Sequence, residues 1–208
     1  MAVARAAQAA GVMAAAERRQ AVILCAELRG FARMSDVLEP ALVLLLASEF
    51  FTFAAEIVGA HGGDALSVHN ESLLAAFARE EPAKFVQQSV RAAQKIQGGF
   101  PALAERWRKA YGLRSGAAQG LHFGEIVFGA AGPRGREQRM AIGDNIAVAQ
   151  LMLRRARAGE FVMSDAVMAA VSVENLDLDA QPLPPLEIGK RPPIRIYGVL
   201  RDERLDFT

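Results

Sequence analysis

The stretch Ser67–Phe77, SVHNESLLAAF, carries a carboxylate where a carboxylate is out of place. It reads as a strand, a two-residue turn and a second strand. Two-residue hairpin turns need positive φ, so Asn-Gly and Asp-Gly dominate them. Asn70 fits that rule, but Glu71 has a Cβ and a low turn preference. A carboxylate fixed at a hairpin tip can ligate a hard cation such as Mg²⁺; the plain alternative is a solvated surface group. Three arginines, Arg134, Arg136 and Arg139, sit between Gly132 and Ile142, either as phosphate-reaching groups or as a solvated loop tip. Trp107 lies among Arg106, Arg108 and Lys109, which reads as an anion-binding patch or as a solvated helix end with one core-facing ring. His61, His69 and His122 are scattered, and Cys25 is alone between Leu24 and Ala26 in an apolar run, a buried structural thiol.

These groups must be positioned by the elements around them. The 208 residues are 52% hydrophobic, enough for a real core, and the formal net charge of +1 gives no footprint for coating nucleic acid. One cysteine permits no disulfide framework and suits a reducing cytoplasm. The most apolar stretch is interrupted by Glu49 and Glu56, which predicts a core helix rather than a membrane span. Residues 1–19 are Ala-rich and predict an N-terminal helix leading into one domain over 20–208. Within that domain 21–28 predicts a strand and 38–60 a helix, with Leu42, Leu46, Phe50, Phe53 and Ile57 on one face. A hairpin follows at 65–68 and 72–78. A helical region over 83–111 is expected to be divided by Gly98, Gly99 and Pro101. Strands are expected at 115–131 and 137–142, a helix at 145–158, then a strand with a short helix, and a last strand in PPIRIYGVL. This order predicts an α+β fold, an antiparallel ferredoxin-like sheet with helices packed on it.

Five blocks in this order carry a family resemblance: VILCAELRGFARMSD, HGGDALSVHNESLLAAF, GLHFGEIVFGAAG, IGDNIAVAQL and GEFVMSDAV. They resemble the catalytic domain of the class III adenylate/guanylate cyclases, with no gaps needed inside any block. The resemblance implies that domain's fold and a site shared between two chains in a head-to-tail dimer. It also implies attack of a ribose 3′-oxygen on the α-phosphate of ATP or GTP, assisted by two Mg²⁺ or Mn²⁺ ions. The metal-holding Asp positions of the family match Glu27 and Glu71. Each added methylene displaces a carboxylate by over an ångström, and a misplacement of about 1 Å can cost about 10²-fold in rate. His69 beside the turn could approach a metal held at Glu71. The turn Leu28, Arg29, Gly30, Phe31 matches the segment whose backbone amides face the triphosphate.

The other half of the resembled site is replaced. The base-reading Lys matches Ser67 and its partner matches Gln138. The ribose-orienting Asn matches Ala147, and the Arg that steadies the phosphate in the transition state matches Leu151. A transition-state arginine is worth about 10³–10⁵-fold in other phosphoryl-transfer enzymes. The sequence therefore reads as a degenerate cyclase homology domain, a dimeric regulatory or nucleotide-sensing module. Two alternatives stay open: a slow enzyme with an altered Glu/Glu metal site, and a chain that supplies the metal half to an intact cyclase partner in a heterodimer.

Overall fold

The computed structural model describes residues 16–69, 71–78, 81–133, 136–173, 178–189 and 191–201. The chain begins with β1 (Glu17–Arg29), α1 (Phe31–Val37) and α2 (Pro40–Ala60). The hairpin β2 (Asp64–His69) and β3 (Ser72–Phe77) leads to α3 (Pro82–Tyr111). Then come β4 (Gly116–Ala131), β5 (Gln138–Ile142) and α4 (Asp144–Arg155). The last elements are β6 (Glu160–Ser164), α5 (Asp165–Val173), β7 (Gln181–Leu186) and β8 (Ile194–Leu200).

The strands form one sheet in the order β2-β3-β1-β4-β6-β8-β7, with β5 hydrogen-bonded to the far half of β4. The β2-β3-β1-β4 half is antiparallel and has the ferredoxin-like order, as expected. The β4–β6 pair is parallel, because α4 lies between them as a crossover. The strand β1 is longer than its apolar run. It pairs over its whole length with β4, from Glu17–Phe128 to Arg29–Gly116. Its second half also pairs with β3, from Val22–Phe77 to Glu27–Ser72.

Alternation along β1 divides the interior into two cores. Val22, Leu24, Ala26 and Leu28 face α2 and α3, where Phe50, Phe100 and Trp107 stack edge to face. Ala21, Ile23 and Cys25 face α4, against Val148, Ala149, Met152 and Leu153. Helix α2 is long and apolar enough by composition to cross a membrane. Its row Val43, Leu46, Phe50, Ala54 and Val58 is packed into the first core.

Several boundaries differ from the sequence expectations. The helix expected over 38–60 starts at Pro40, and a separate seven-residue helix, α1, precedes it. The expected division of α3 does not occur: it runs unbroken through Gly98, Gly99 and Pro101. The glycines are contact points, since a Cβ at Gly99 would stand 3.0 Å from the Phe53 ring of α2. Pro101 has no N–H for the Gln97 carbonyl, and the Arg201 guanidinium donates to that carbonyl instead. Strand β7, QPLPPL, was not expected at all. Its prolines cannot donate to a ladder, but β7 is an edge strand, where that is tolerated. Of the Ala-rich segment expected to be helical, residues 1–15 lie outside the described residues, and Glu17–Arg19 already belong to β1.

Candidate functional site

Helix α4 lies directly on β4 and β1, on the sheet face that continues from Cys25 to Glu27. Two glycines four apart on β4 permit this seat. A Cβ at Gly120 would stand 2.3 Å from the Ala149 carbonyl oxygen and 2.4 Å from the Leu153 nitrogen. A Cβ at Gly124 would run into the Asn145 side chain at 2.4 Å. Asn145 is fixed there by donating to the Glu125 carbonyl at 2.8 Å and accepting from His122 Nε2 at 3.1 Å. That assigns the proton of His122 to Nε2, and leaves Nδ1 buried with no partner among the described residues. Burial pushes the His122 pKa below its ordinary value, an effect that the Asn145 hydrogen bond opposes. His122 is thus a structural group that ties α4 to β4.

The carboxylate of Glu27 is held at the far end of β1. It pairs with the Arg29 guanidinium on one oxygen, and Ser72 Oγ donates to the other at 3.3 Å. Arg29 also donates to the Leu153 and Ala156 carbonyls, at 2.8 and 3.0 Å. These are carbonyls at the C-terminal end of α4, where the last turn leaves acceptors short of donors; the Leu153 carbonyl also accepts from the Ala156 amide at 3.1 Å. Glu71 occupies the two-residue loop between the paired His69 and Ser72. Its backbone carbonyl accepts from the Leu28 amide at 3.0 Å, so the hairpin tip is tied to β1. That contact accounts for an ordered, half-buried residue at this turn.

No protein-family model matches the sequence. A curated relative, adenylate cyclase 1 of Rhizobium meliloti (strain 1021), is 28% identical over 137 residues, 65% of this chain and 20% of the relative. The chain thus spans about a fifth of the length of that relative. Among solved structures, the adenylyl cyclase CyaB from P. aeruginosa superposes with a TM-score of 0.82 at 18% identity, over 91% of this chain and 97% of that one. The guanylyl cyclase Cya2 superposes with a TM-score of 0.77 at 20% identity, over 92% of this chain and 98% of that one. The fold is therefore that of the class III cyclase catalytic domains. In fold the chain is cyclase-like. A further neighbour, the guanylate cyclase domain of RhGC from Catenaria anguillulae in complex with GTP, has a TM-score of 0.74 at 17% identity, over 88% of this chain and 97% of that one.

In this cyclase-like domain the residues singled out by sequence separate into two groups. Glu27, Arg29, Ser72 and the C-terminal end of α4 are brought together. The positions expected to carry substrate contacts present little to a polar ligand. Ala147 is exposed, and Leu151, one turn further, is half-buried against the second core. Ser67 is exposed on the edge strand β2, and Gln138 is exposed on β5. In the 28–31 turn one amide is already engaged. Leu28 is buried with its amide given to Glu71, so that amide is not free for a phosphate. Gly30 adopts a left-handed conformation beneath the Arg114 carbonyl, and Phe31 packs on the first core. At Glu27 one carboxylate oxygen faces a cation and the other a hydroxyl donor, and each keeps a further lone pair with which it would hold a metal of the kind this fold implies. Among the described residues no group of three or more His, Cys, Asp or Glu side chains is placed to hold a metal ion. His69 is exposed on β2 beside the turn.

The remaining candidates resolve into structure. Trp107 is buried and donates to Glu49 at 2.9 Å, which also pairs with Arg106. Arg108 and Lys109 pair with Glu105. His61 caps α2 through Nδ1 and the Ile57 carbonyl at 2.8 Å. Cys25 is buried, which pushes its thiol pKa up to about 12. Arg136 is exposed on the basic arm; Arg134 and the Arg139 side chain lie outside the described residues. Arg29 acts through its side chain, whereas the sequence pointed to its backbone. The missed signal was its place two residues beyond Glu27, which puts both side chains on one face of a strand.

Proposed function

We propose that this domain is a degenerate, non-catalytic member of the cyclase fold, acting as a dimeric regulatory or nucleotide-sensing module in signalling. The observation that carries the reading is the surface of α4. At Ala147 and Leu151 the helix offers no group that hydrogen-bonds a ribose or offsets charge on a phosphate. Ser67 on β2 adds the loss of a base-reading cation. Nothing in such a surface stabilises a pentavalent phosphate better than the ground state, which is what acceleration requires. The test is a cyclase assay of the purified domain with ATP and GTP, each with Mg²⁺ and with Mn²⁺. No cyclic nucleotide is expected. Turnover that disappears in Glu27→Ala would overturn the reading and favour an enzyme with an altered metal site.

A second reading rests on the uneven replacement. Carboxylates persist at 27 and 71, while the opposite set is exchanged at every position. A chain supplying only carboxylates to an intact cyclase partner would have this pattern. Mixing the domain with an intact class III cyclase whose own metal carboxylates have been removed discriminates the two: restored turnover supports the heterodimer.

A further inference from the structure

We propose that the groove between α1, α2 and β2 is a binding site for a small uncharged amphiphile, a molecule with an apolar body and one or two hydroxyl or carbonyl groups. This goes beyond the proposed function and does not depend on it.

The groove encloses about 620 Å³. Small-molecule sites usually measure about 300–1,000 Å³ and are mostly apolar, with a few placed polar groups. The lining has that chemistry. Phe31 of α1, Leu44 and Phe51 of α2 and Val68 of β2 supply apolar walls. Leu44 is 72% and Val68 51% exposed, so an occupant would take apolar surface out of water on both sides. Ser48 and Thr52 stand one helical turn apart on the α2 wall. Neither hydroxyl has a partner among the described residues, so both are free to bond a ligand. Ser35, by contrast, gives its hydroxyl to the Phe31 carbonyl at 3.1 Å. No charged side chain is in the lining, so a charge brought into the groove would go unpaired. Next to the lining residues Ser35 and Pro40 the chain carries exposed Asp36 and Glu39, against exposed Arg33. Two carboxylates against one guanidinium disfavour anions in particular. They also oppose an anionic lipid surface, and two copies seated groove to groove would bring like charges together. The groove is on the first-core side of the sheet, opposite α4, so it is separate from the cyclase-like site.

The experiment follows Nile red, an uncharged fluorescent dye, on the wild-type domain and on Leu44→Glu, Val68→Glu and Leu45→Glu. Leu44 and Val68 line the groove, whereas Leu45, 53% exposed, is the next residue of the helix and lies outside it. None of the three side chains is buried, so each variant keeps the wild-type circular dichroism and urea midpoint. The dye binds the wild type at one saturable site per chain, and 1-decanol displaces it while decanoate does not. Leu44→Glu and Val68→Glu bind it about tenfold more weakly, and Leu45→Glu binds it as the wild type does. The lack of a saturable site, or an equal loss in Leu45→Glu, would overturn the site. Displacement by decanoate as readily as by 1-decanol would overturn its assigned chemistry. A Leu44→Glu protein of half the wild-type mass in light scattering would give the groove to a second copy. Wild-type co-sedimentation with phosphatidylcholine vesicles that Leu44→Glu abolishes would give it to a membrane. Either result sinks the proposal.

Discussion

At Leu151 the side chain touches the second core on one side and solvent on the other. Replacing it with arginine supplies the cation that the resemblance implies at this position, yet Ser67 and Ala147 remain, so no cyclase activity is expected to return. The cost in stability is set by the half-buried position. Full burial of a leucine is worth about 1.5–3 kcal/mol, whereas ordinary surface changes stay within about 0.5 kcal/mol. An arginine can run its stem along the apolar surface and put its head in water. Leu151→Arg is therefore expected to cost about 1 kcal/mol, by the half of that burial it gives up. Urea melts check it: a loss near that of full burial would mean that the cleft beside α4 is closed, and no loss would mean that it is open. The sequence exposed this position because motif order and helical spacing pin Ala147 and Leu151 together. Arg29 was legible only as a backbone site, because its side-chain partners lie 124 and 127 residues away.

The element that organises the site is α4, and what seats it is the absence of a side chain at Gly120. The block GLHFG announces this, since two glycines four apart in a strand put two gaps on one face. An alanine at Gly120 would place a methyl carbon 2.3 Å from a backbone oxygen and 2.4 Å from a backbone nitrogen. Neither atom can swing away as the end of a flexible side chain would, so the whole helix must lift. Gly120→Ala is expected to cost about 3 kcal/mol, the upper part of the range for overpacking, and to separate the Arg29 fork from the Leu153 and Ala156 carbonyls. A chemical-denaturation midpoint equal to that of the wild type would refute the close seat. Elements whose period and composition agreed were readable in the sequence, such as β3, β6 and α2. Where local composition opposed tertiary context the reading failed. Gly98, Gly99 and Pro101 look like helix breakers, but contact with Phe53 and donation by Arg201 keep α3 whole. The prolines of QPLPPL argue against a strand, and only an edge position in the finished sheet removes the objection.

For the whole molecule, the apolar strand over 117–131 and the helix from Asn145 are the stretches apolar enough in sequence to form the interface of the dimer that the resemblance implies. The fold redistributes that surface. Ala117, Ala118 and Leu121 are buried within the chain, against β1, β6 and the helices, so they cannot serve a second copy. What remains apolar and open at that side is the arm strand, where Met140 is 44% and Ile142 is 62% exposed, beside the exposed Ala147 and half-buried Leu151 of α4. A two-fold interface repeats each patch twice, so a modest strip on one copy is doubled in the dimer. A stable interface of ordinary size buries about 1,200–2,000 Å² in total, which requires the arm and α4 of both copies to participate. The domain is accordingly expected to be a dimer at tens of micromolar in light scattering. Combining Met140→Glu with Ile142→Glu puts like charges into the centre of that strip. It should shift the mass to that of one chain, while the intrachain fold, in which neither side chain is buried, keeps its circular dichroism. A wild-type protein that is already monodisperse as a monomer would remove the arm as an interface. A double variant that stays dimeric would move the interface elsewhere on the sheet.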